Sequence, residues 1–400
     1  MTGPALAAEA DGADGAGRAA NRAVLLSGSL GMGHDVVAEA CRTSLRELGW
    51  ESEMLDAMGL LGRRGGSAGE HVFRTMLAIP GLYDAFHFAA LRPGSRLALR
   101  ADAAARRQVV PRLREYLDTH PAQLVISVFS TGASAMSSLV PRYPGLRHVV
   151  FCSDAVPHRL WVHPNVDLYL VTSAAAEPYV RTFEPGARVM VVPAVVRTPF
   201  YHPPSQADAR ISLGVPAGER CVLLMSGAWG LGPVAEVAEA LGDAGVHVLA
   251  VAGRNERLAA KLGMAASRQP LVHPFGFTDR IPELMAAADL VVTSSGDTCT
   301  EARTVGRPLL LLDVVQGHGR DNLQHELELG DAAVSSGKPA HVVRNALAAL
   351  DDLKPPPSGP TRSRAAWQST FRAALASIGL EPADEVPACS PAASPEAAPG

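Results

Sequence analysis

Lysine is almost missing from this chain of 400 residues: it occurs only as Lys261, Lys338 and Lys354, and arginine carries the rest of the positive charge. That is a compositional bias without functional content. Cysteine is scarce and scattered. Cys41, Cys152, Cys221, Cys299 and Cys389 form no CxxC pair and no even framework, which argues against a disulfide scaffold or a metal site and fits small core residues of a reduced, cytosolic protein. No apolar run approaches the roughly 20 residues that span a bilayer. The start of the chain, mostly Ala, Gly and Asp up to Gly17, lacks the basic beginning and apolar middle of a signal peptide. The expectation is a soluble, cytoplasmic protein whose contact with a membrane, if any, is peripheral, on the inner face of the cell membrane. An excess of charge is also missing: the formal net charge of −4 gives no whole-chain reason to expect nucleic acid. Four motifs are absent too: a Gly-x-x-x-x-Gly-Lys-Ser/Thr phosphate loop, a Gly-x-Ser-x-Gly elbow, a His-Glu-x-x-His pair and an Asp-x-Asp at a strand end. Neither metal nor cofactor is therefore expected, and helix ends and glycine turns would have to neutralise any bound diphosphate.

What is present is a repeated alternation of short apolar strands, polar turns and helices, read as α/β with two doubly wound, Rossmann-like domains facing across a cleft. Residues 1–20 are low in complexity and expected to be disordered. The first domain, 21–195, opens with Ala23 to Leu26, a glycine turn and a helix ending at Gly49. It continues with strands at Glu51 to Asp56, Gln123 to Val128, Arg147 to Phe151, Asp167 to Val171 and Arg188 to Val192, the last two expected to be buried on both faces. A proline-bearing linker, 196–216, leads to a second domain, 217–353. Its strands are expected at Cys221 to Met225, Val246 to Val251 and Leu271 to Phe275, with Ala332 to Val334 as an edge strand. A helix over 361–380 carries Trp367, Phe371, Leu375 and Ile378 on one stripe, and a Pro- and Ala-rich tail, 381–400, is expected to be disordered.

The stretch from Ala288 to Asn322 organises the second domain. It reads as strand, polar turn, helix, strand and second polar turn, with both turns at the carboxyl ends of parallel strands, where open α/β sheets bind ligands. Ser295, Gly296 and Thr298 feed a helix start whose free N–H groups suit a phosphate, and Glu301 in the first turn could accept from a ribose diol. An acid there is equally favourable with no ligand at all.

In the first domain, Gly31-x-Gly33 opens a helix after a strand and Asp56 closes the next strand. The third glycine of a dinucleotide fingerprint falls on Val36, which removes the main reason to expect a nicotinamide cofactor. His34 follows two glycines at a helix N-terminus, where the dipole disfavours a protonated ring and keeps it available as a base; it reads equally as a polar cap residue. Asp154 and His158, four apart after a strand end, form an acid and base pair or a turn aspartate beside a surface histidine. From Leu60 to Glu115, ten arginines meet four acids among interleaved apolar residues. That mixture suits an anionic membrane face, and also an ordinary solvated face over a core-facing stripe.

Seven motifs in order carry a resemblance: Gly31-Met-Gly33-His34, Asp154-x-x-x-His158-x-x-Trp161, Gly227-x-x-Gly230, Gly253-Arg254-Asn255, Gly276-Phe277-Thr278, Ser295-Gly296-Asp297-Thr298-x-Thr300-Glu301-Ala302, and Asn322. Over roughly Ala23 to Leu350 the chain resembles the monogalactosyldiacylglycerol synthase and processive diacylglycerol glucosyltransferase family. More distantly it resembles the N-acetylglucosaminyltransferase that completes lipid II. The resemblance implies a GT-B enzyme that moves a hexose from a UDP-sugar, held in the second domain, to a lipid or other hydrophobic acceptor held in the first, by metal-independent inverting displacement. It implies His34 as the base, with Asp154 and His158 on the acceptor side. Gly227 and Gly230 would meet the diphosphate, Arg254, Asn255 and Phe277 the uracil, and Glu301 the ribose. The last turn, with His318, Asp321 and Asn322, would meet the donor hexose. Two departures stand out. The family's Pro-Gly-Gln-Glu-x-x-Asn is here Gln316-Gly317-His318-Gly319-Arg320-Asp321-Asn322, and Ser294 and Ser295 replace its lysine before the glycine turn. The rival expectations are a UDP-sugar epimerase on the same scaffold and a non-catalytic UDP-sugar-binding protein.

Overall fold

The structure is a computed structural model, and it describes residues 21–28, 33–62, 87–225, 232–315, 317–353 and 363–380. The expected disorder of 1–20 and 381–400, the Gly227/Gly230 turn and the arginine-rich residues 63–86 lie outside the described residues.

Two six-stranded sheets, all parallel among the described residues, form the two halves. The first contains β1 (Arg22–Ser27), β2 (Glu51–Asp56), β3 (Leu124–Ser127), β4 (Arg147–Cys152), β5 (Leu168–Val171) and β6 (Val189–Val191), in the order β2-β1-β3-β4-β5-β6. Its helices are α1 (Gly33–Glu47), α2 (Arg96–Thr119), α3 (Ser130–Leu139) and α4 (Glu177–Phe183). The chain then passes through α5 (Gln206–Leu213) into the second half. There β7 (Cys221–Met225), β8 (His247–Val251), β9 (Val272–Phe275), β10 (Leu290–Ser294), β11 (Leu309–Asp313) and β12 (Ala332–Ser336) run in the order β9-β8-β7-β10-β11-β12. Alternating with them are α6 (Val234–Asp243), α7 (Glu256–Arg268), α8 (Ile281–Ala287), α9 (Asp297–Val305), α10 (His318–Glu328) and α11 (Pro339–Asp351), before the last helix, α12 (Arg364–Ser377).

The second sheet has the strand order of a dinucleotide-binding domain, with its switch point between β7 and β10. In the first sheet the direction reverses between β1 and β3. The turns after those strands hold the motifs singled out above, so the topology gathers them at the two crevices where open parallel sheets place ligands.

Continuous apolar runs make the central strands. Every residue of β5, β7, β8 and β10 is buried, because helices cover both faces. β6, expected to be buried on both faces, is instead an edge strand whose Val189 and Met190 are half-buried and whose Val191 is exposed. It has a neighbour on one side only.

Residues 196–216, expected to join the halves, do so folded: Val196, Phe200, Ala209 and Val215 are buried in the core of the second half with Leu223, Leu249 and Leu284. The last helix crosses back. Trp367, Phe371, Leu375 and Ile378 are buried as a stripe, but their partners are Leu45, Phe151 and Leu168 of the first half. Ser363 caps this helix by accepting from Ala366 N, and Trp367 Nε1 donates to Ser44 Oγ at 2.8 Å.

Candidate active site

His34 lies in the first turn of α1, directly after the β1 turn. Its ring meets Phe129 edge-on at 5.0 Å, at the end of β3, and Trp161 at 6.1 Å. The two aromatic residues fix the imidazole, and its Nδ1 is buried with no hydrogen-bond partner among the described residues. Trp161 Nε1 donates to Asp154 Oδ2 at 2.7 Å, so Asp154 shares the wall of His34 through one indole. His158 caps its own short turn by accepting from Leu160 N at Nδ1, and its ring packs 6.2 Å from Trp161 and 6.3 Å from His87. The structure thus brings His34, Asp154 and His158 into one wall, each held by an identifiable contact.

Across the cleft, the turn after β10 is built as expected. Gly296, in an extended conformation, caps α9, and Ser295 Oγ donates to the Gly319 carbonyl at 2.8 Å, tying together the turns before α9 and α10. Thr298 is half-buried on the first turn of α9. Farther along the same edge, Arg254 lies 4.9 Å over the ring of Phe277, which is 53% exposed and open to a second flat group. Asn255 accepts from Leu258 N at 3.0 Å through Oδ1 and so caps α7.

Three placements differ from what the motifs imply. Glu301 is buried, and its carboxylate faces Arg197 Nε at 4.0 Å; reaching it from a ribose requires that Arg197 swing clear. Burial pushes the Glu301 carboxyl up to about 8, with Arg197 opposing and Asp297 adding. Asp321 is engaged with the first half: its carboxylate accepts from Arg92 Nη1 at 3.2 Å and lies 3.0 Å from His87 Nε2. Asn322 Oδ1 accepts from Ala155 N at 3.1 Å. Two of the three side chains implied as hexose contacts therefore hold the halves together here. His318 begins α10; its side chain lies outside the described residues.

Sequence reasoning gave no role to Asp297, Arg197, His87 or Arg92. Asp297 alone carried a signal, because a carboxylate in a turn built for a diphosphate is out of place. The residue is exposed, yet its carboxylate lies against Gly33 of the other half. Burial raises its carboxyl above the ordinary value, His34 lowers it, and Asp154 raises it again. A methyl group at Gly33 would overlap the Asp297 carboxylate and push it aside. Among the described residues no three metal-ligating side chains cluster.

Two facing Rossmann-like halves, with these turns on the strand ends, define the GT-B frame. Residues 233–343 match the glycosyltransferase family 28 C-terminal domain, and the chain is similar to relatives of the kind its motifs suggested. It is 31% identical to a probable chloroplastic monogalactosyldiacylglycerol synthase of Glycine max over 43% of this chain and 35% of that protein. It is 28% identical to a processive diacylglycerol beta-glucosyltransferase of Bacillus pumilus over 56% of this chain and 59% of that one. The chain thus spans about a third to three-fifths of these relatives. Among solved structures, a UDP-glucosyltransferase from Polygonum tinctorium superposes with a TM-score of 0.57 at 13% identity, covering 89% of this chain and 94% of that one. UDP-GlcNAc 2-epimerase from Neisseria meningitidis, bound to UDP-GlcNAc, gives 0.55 at 10% identity, covering 89% and 99%. At those identities the likeness is one of fold.

Proposed function

We propose that this protein is an inverting, metal-independent glycosyltransferase that moves a hexose from a UDP-sugar to a diacylglycerol-like or other hydrophobic acceptor. The observation that carries this reading is the approach of Asp297, on the first turn of α9, to Gly33, which sets His34 in its aromatic clamp opposite the Ser295–Thr298 turn. In this reading the uracil stacks on Phe277 beside Arg254, and the diphosphate lies at the helix N-terminus, whose N–H groups offset its charge. His34 takes the proton of the acceptor hydroxyl as its oxygen bonds to the anomeric carbon, and the bond to the diphosphate breaks with its electron pair leaving on UDP.

A lipid acceptor is supported by the surface at the lip of the cleft. Phe88, Leu97 and Leu99 are exposed there beside Arg96 and Arg100, next to the His87 and Arg92 contacts with Asp321. Such a surface suits an anionic membrane, where each basic residue contributes about 1 kcal/mol. No described helix is long and apolar enough to cross a membrane.

The test is UDP release with diacylglycerol presented in anionic vesicles. Release that requires the acceptor supports the reading. An isomerised donor without UDP release supports the epimerase instead, and tight UDP-sugar binding without turnover supports a binding protein. Vesicle binding that is absent even at low ionic strength removes the membrane acceptor.

A further inference from the structure

Asp297 stands where the proposed chemistry least tolerates an acid, on the first turn of the helix that would receive a diphosphate. We infer that Asp297 is a positioning residue for His34: its carboxylate, which the packing of the two halves sets against Gly33, receives the Nδ1–H of His34 and leaves Nε2 as the proton acceptor. The inference rests on the transferase reading and adds to it a base whose two parts come from opposite domains.

Three observations meet here. The Asp297 carboxylate occupies the space a Gly33 side chain would fill, which places it beside the residue that precedes His34. His34 Nδ1 is buried and lacks a hydrogen-bond partner, a state costing about 1–3 kcal/mol until a partner arrives. Phe129 and Trp161 confine the ring, so modest adjustment of the carboxylate is enough to complete the pair. The direct balance is simple: the hydroxyl proton passes to Nε2, the oxygen bonds to the anomeric carbon, and UDP leaves with the electron pair. The Asp297 carboxylate then faces an imidazolium.

The surrounding charges are Asp154, which Trp161 holds on the same wall; Asp35, which accepts from Ser27 one residue past His34; and Glu301, one turn along α9, with Arg197 facing it. His158 and His87 line the adjoining wall. Asp154 is the competing carboxylate, and its variant is the control.

The experiment compares Asp297→Asn, Gly33→Ala, Asp154→Asn and His34→Ala in kcat, KM for the UDP-sugar and the pH profile of kcat/KM. A carboxylate facing the base favours its protonated form, so the acidic limb of the profile should move to lower pH in Asp297→Asn. Its kcat should fall at least about tenfold, with donor KM nearly unchanged. Gly33→Ala, which displaces the carboxylate without removing it, should move the limb the same way. In the His34→Ala background, Asp297→Asn should cost nothing further. An unmoved limb, additive losses in the double variant, or a gain in donor affinity with intact kcat overturns the inference; so does a limb that moves with Asp154→Asn and not with Asp297→Asn. Melting temperature and UDP binding of each variant show whether it is folded. Absence of turnover by the unmodified protein would instead count against the transferase reading itself.

Discussion

Replacing Glu301 with glutamine keeps the length of the side chain and removes its charge, and the effect on stability depends on pH. In the folded chain the carboxyl is raised from 4.5 to about 8, first by burial, against the pull of Arg197. In the unfolded chain it ionises near its ordinary value. Between those two pH values the folded state holds a proton that the unfolded state has lost, so stability falls as pH rises, by about 1.4 kcal/mol per pH unit. The loss accumulates to about 4–5 kcal/mol by pH 8 and is absent below about pH 4.5. Glutamine has no such window. For a unit of this size each kcal/mol is about 2–4 °C in Tm, so Glu301→Gln should melt with the parent near pH 5 and roughly 10 °C above it near pH 8.5. Calorimetric melting at the two pH values measures the gap, and a UDP-induced shift identifies the transition of the second half. UDP should narrow the gap, because ribose hydroxyls donating to the carboxylate favour its ionised form. Parallel melting of the two proteins across the range would refute both the burial argument and the proton assignment.

Three further outcomes follow from contacts already described. His34→Ala should lower kcat by about two to four orders of magnitude, the scale of a general base; a drop under about fivefold in a folded variant removes it from that role. Phe277→Ala should weaken UDP by about 1–3 kcal/mol, roughly 5- to 150-fold in Kd by calorimetry, and an unchanged Kd places the uracil elsewhere. Trp367→Ala should cost about 3–5 kcal/mol in urea unfolding of the first half, and loss confined to the second half would contradict the packing of α12.

The central strands were legible because burial on both faces demands continuous apolar runs, as in Cys221–Met225 and from Leu309 to Leu312. Edges were less so: whether Val189–Val191 has one neighbour or two is decided by topology, and its composition is the same in either case. The stripe on α12 announced a buried face, but a stripe does not name its partner, and the first half supplies it from more than 300 positions away, as Ser44 does for Trp367. The site divides in the same way. Local turn chemistry marked Gly33, His34, Ser295 and Gly296, whereas Phe277 was marked only by the family resemblance, and its stacking against Arg254 exists only in the fold. Asp321 was implied as a hexose contact by the family resemblance, and its contacts with His87 and Arg92, 234 and 229 residues away, could not be read from its own turn. Arg197 had no local pattern at all, since its position opposite Glu301 exists only once the linker has folded against α9.

The most direct measurement is mass spectrometry of the products after incubation with a panel of UDP-sugars and a lipid extract, run in parallel with His34→Ala. UDP-dependent transfer through His34 predicts free UDP together with a lipid heavier by one hexose, formed by the unmodified protein and suppressed at least a hundredfold in the variant. A donor sugar converted to its isomer with no lipid product, or a lipid product formed equally well without His34, would contradict it.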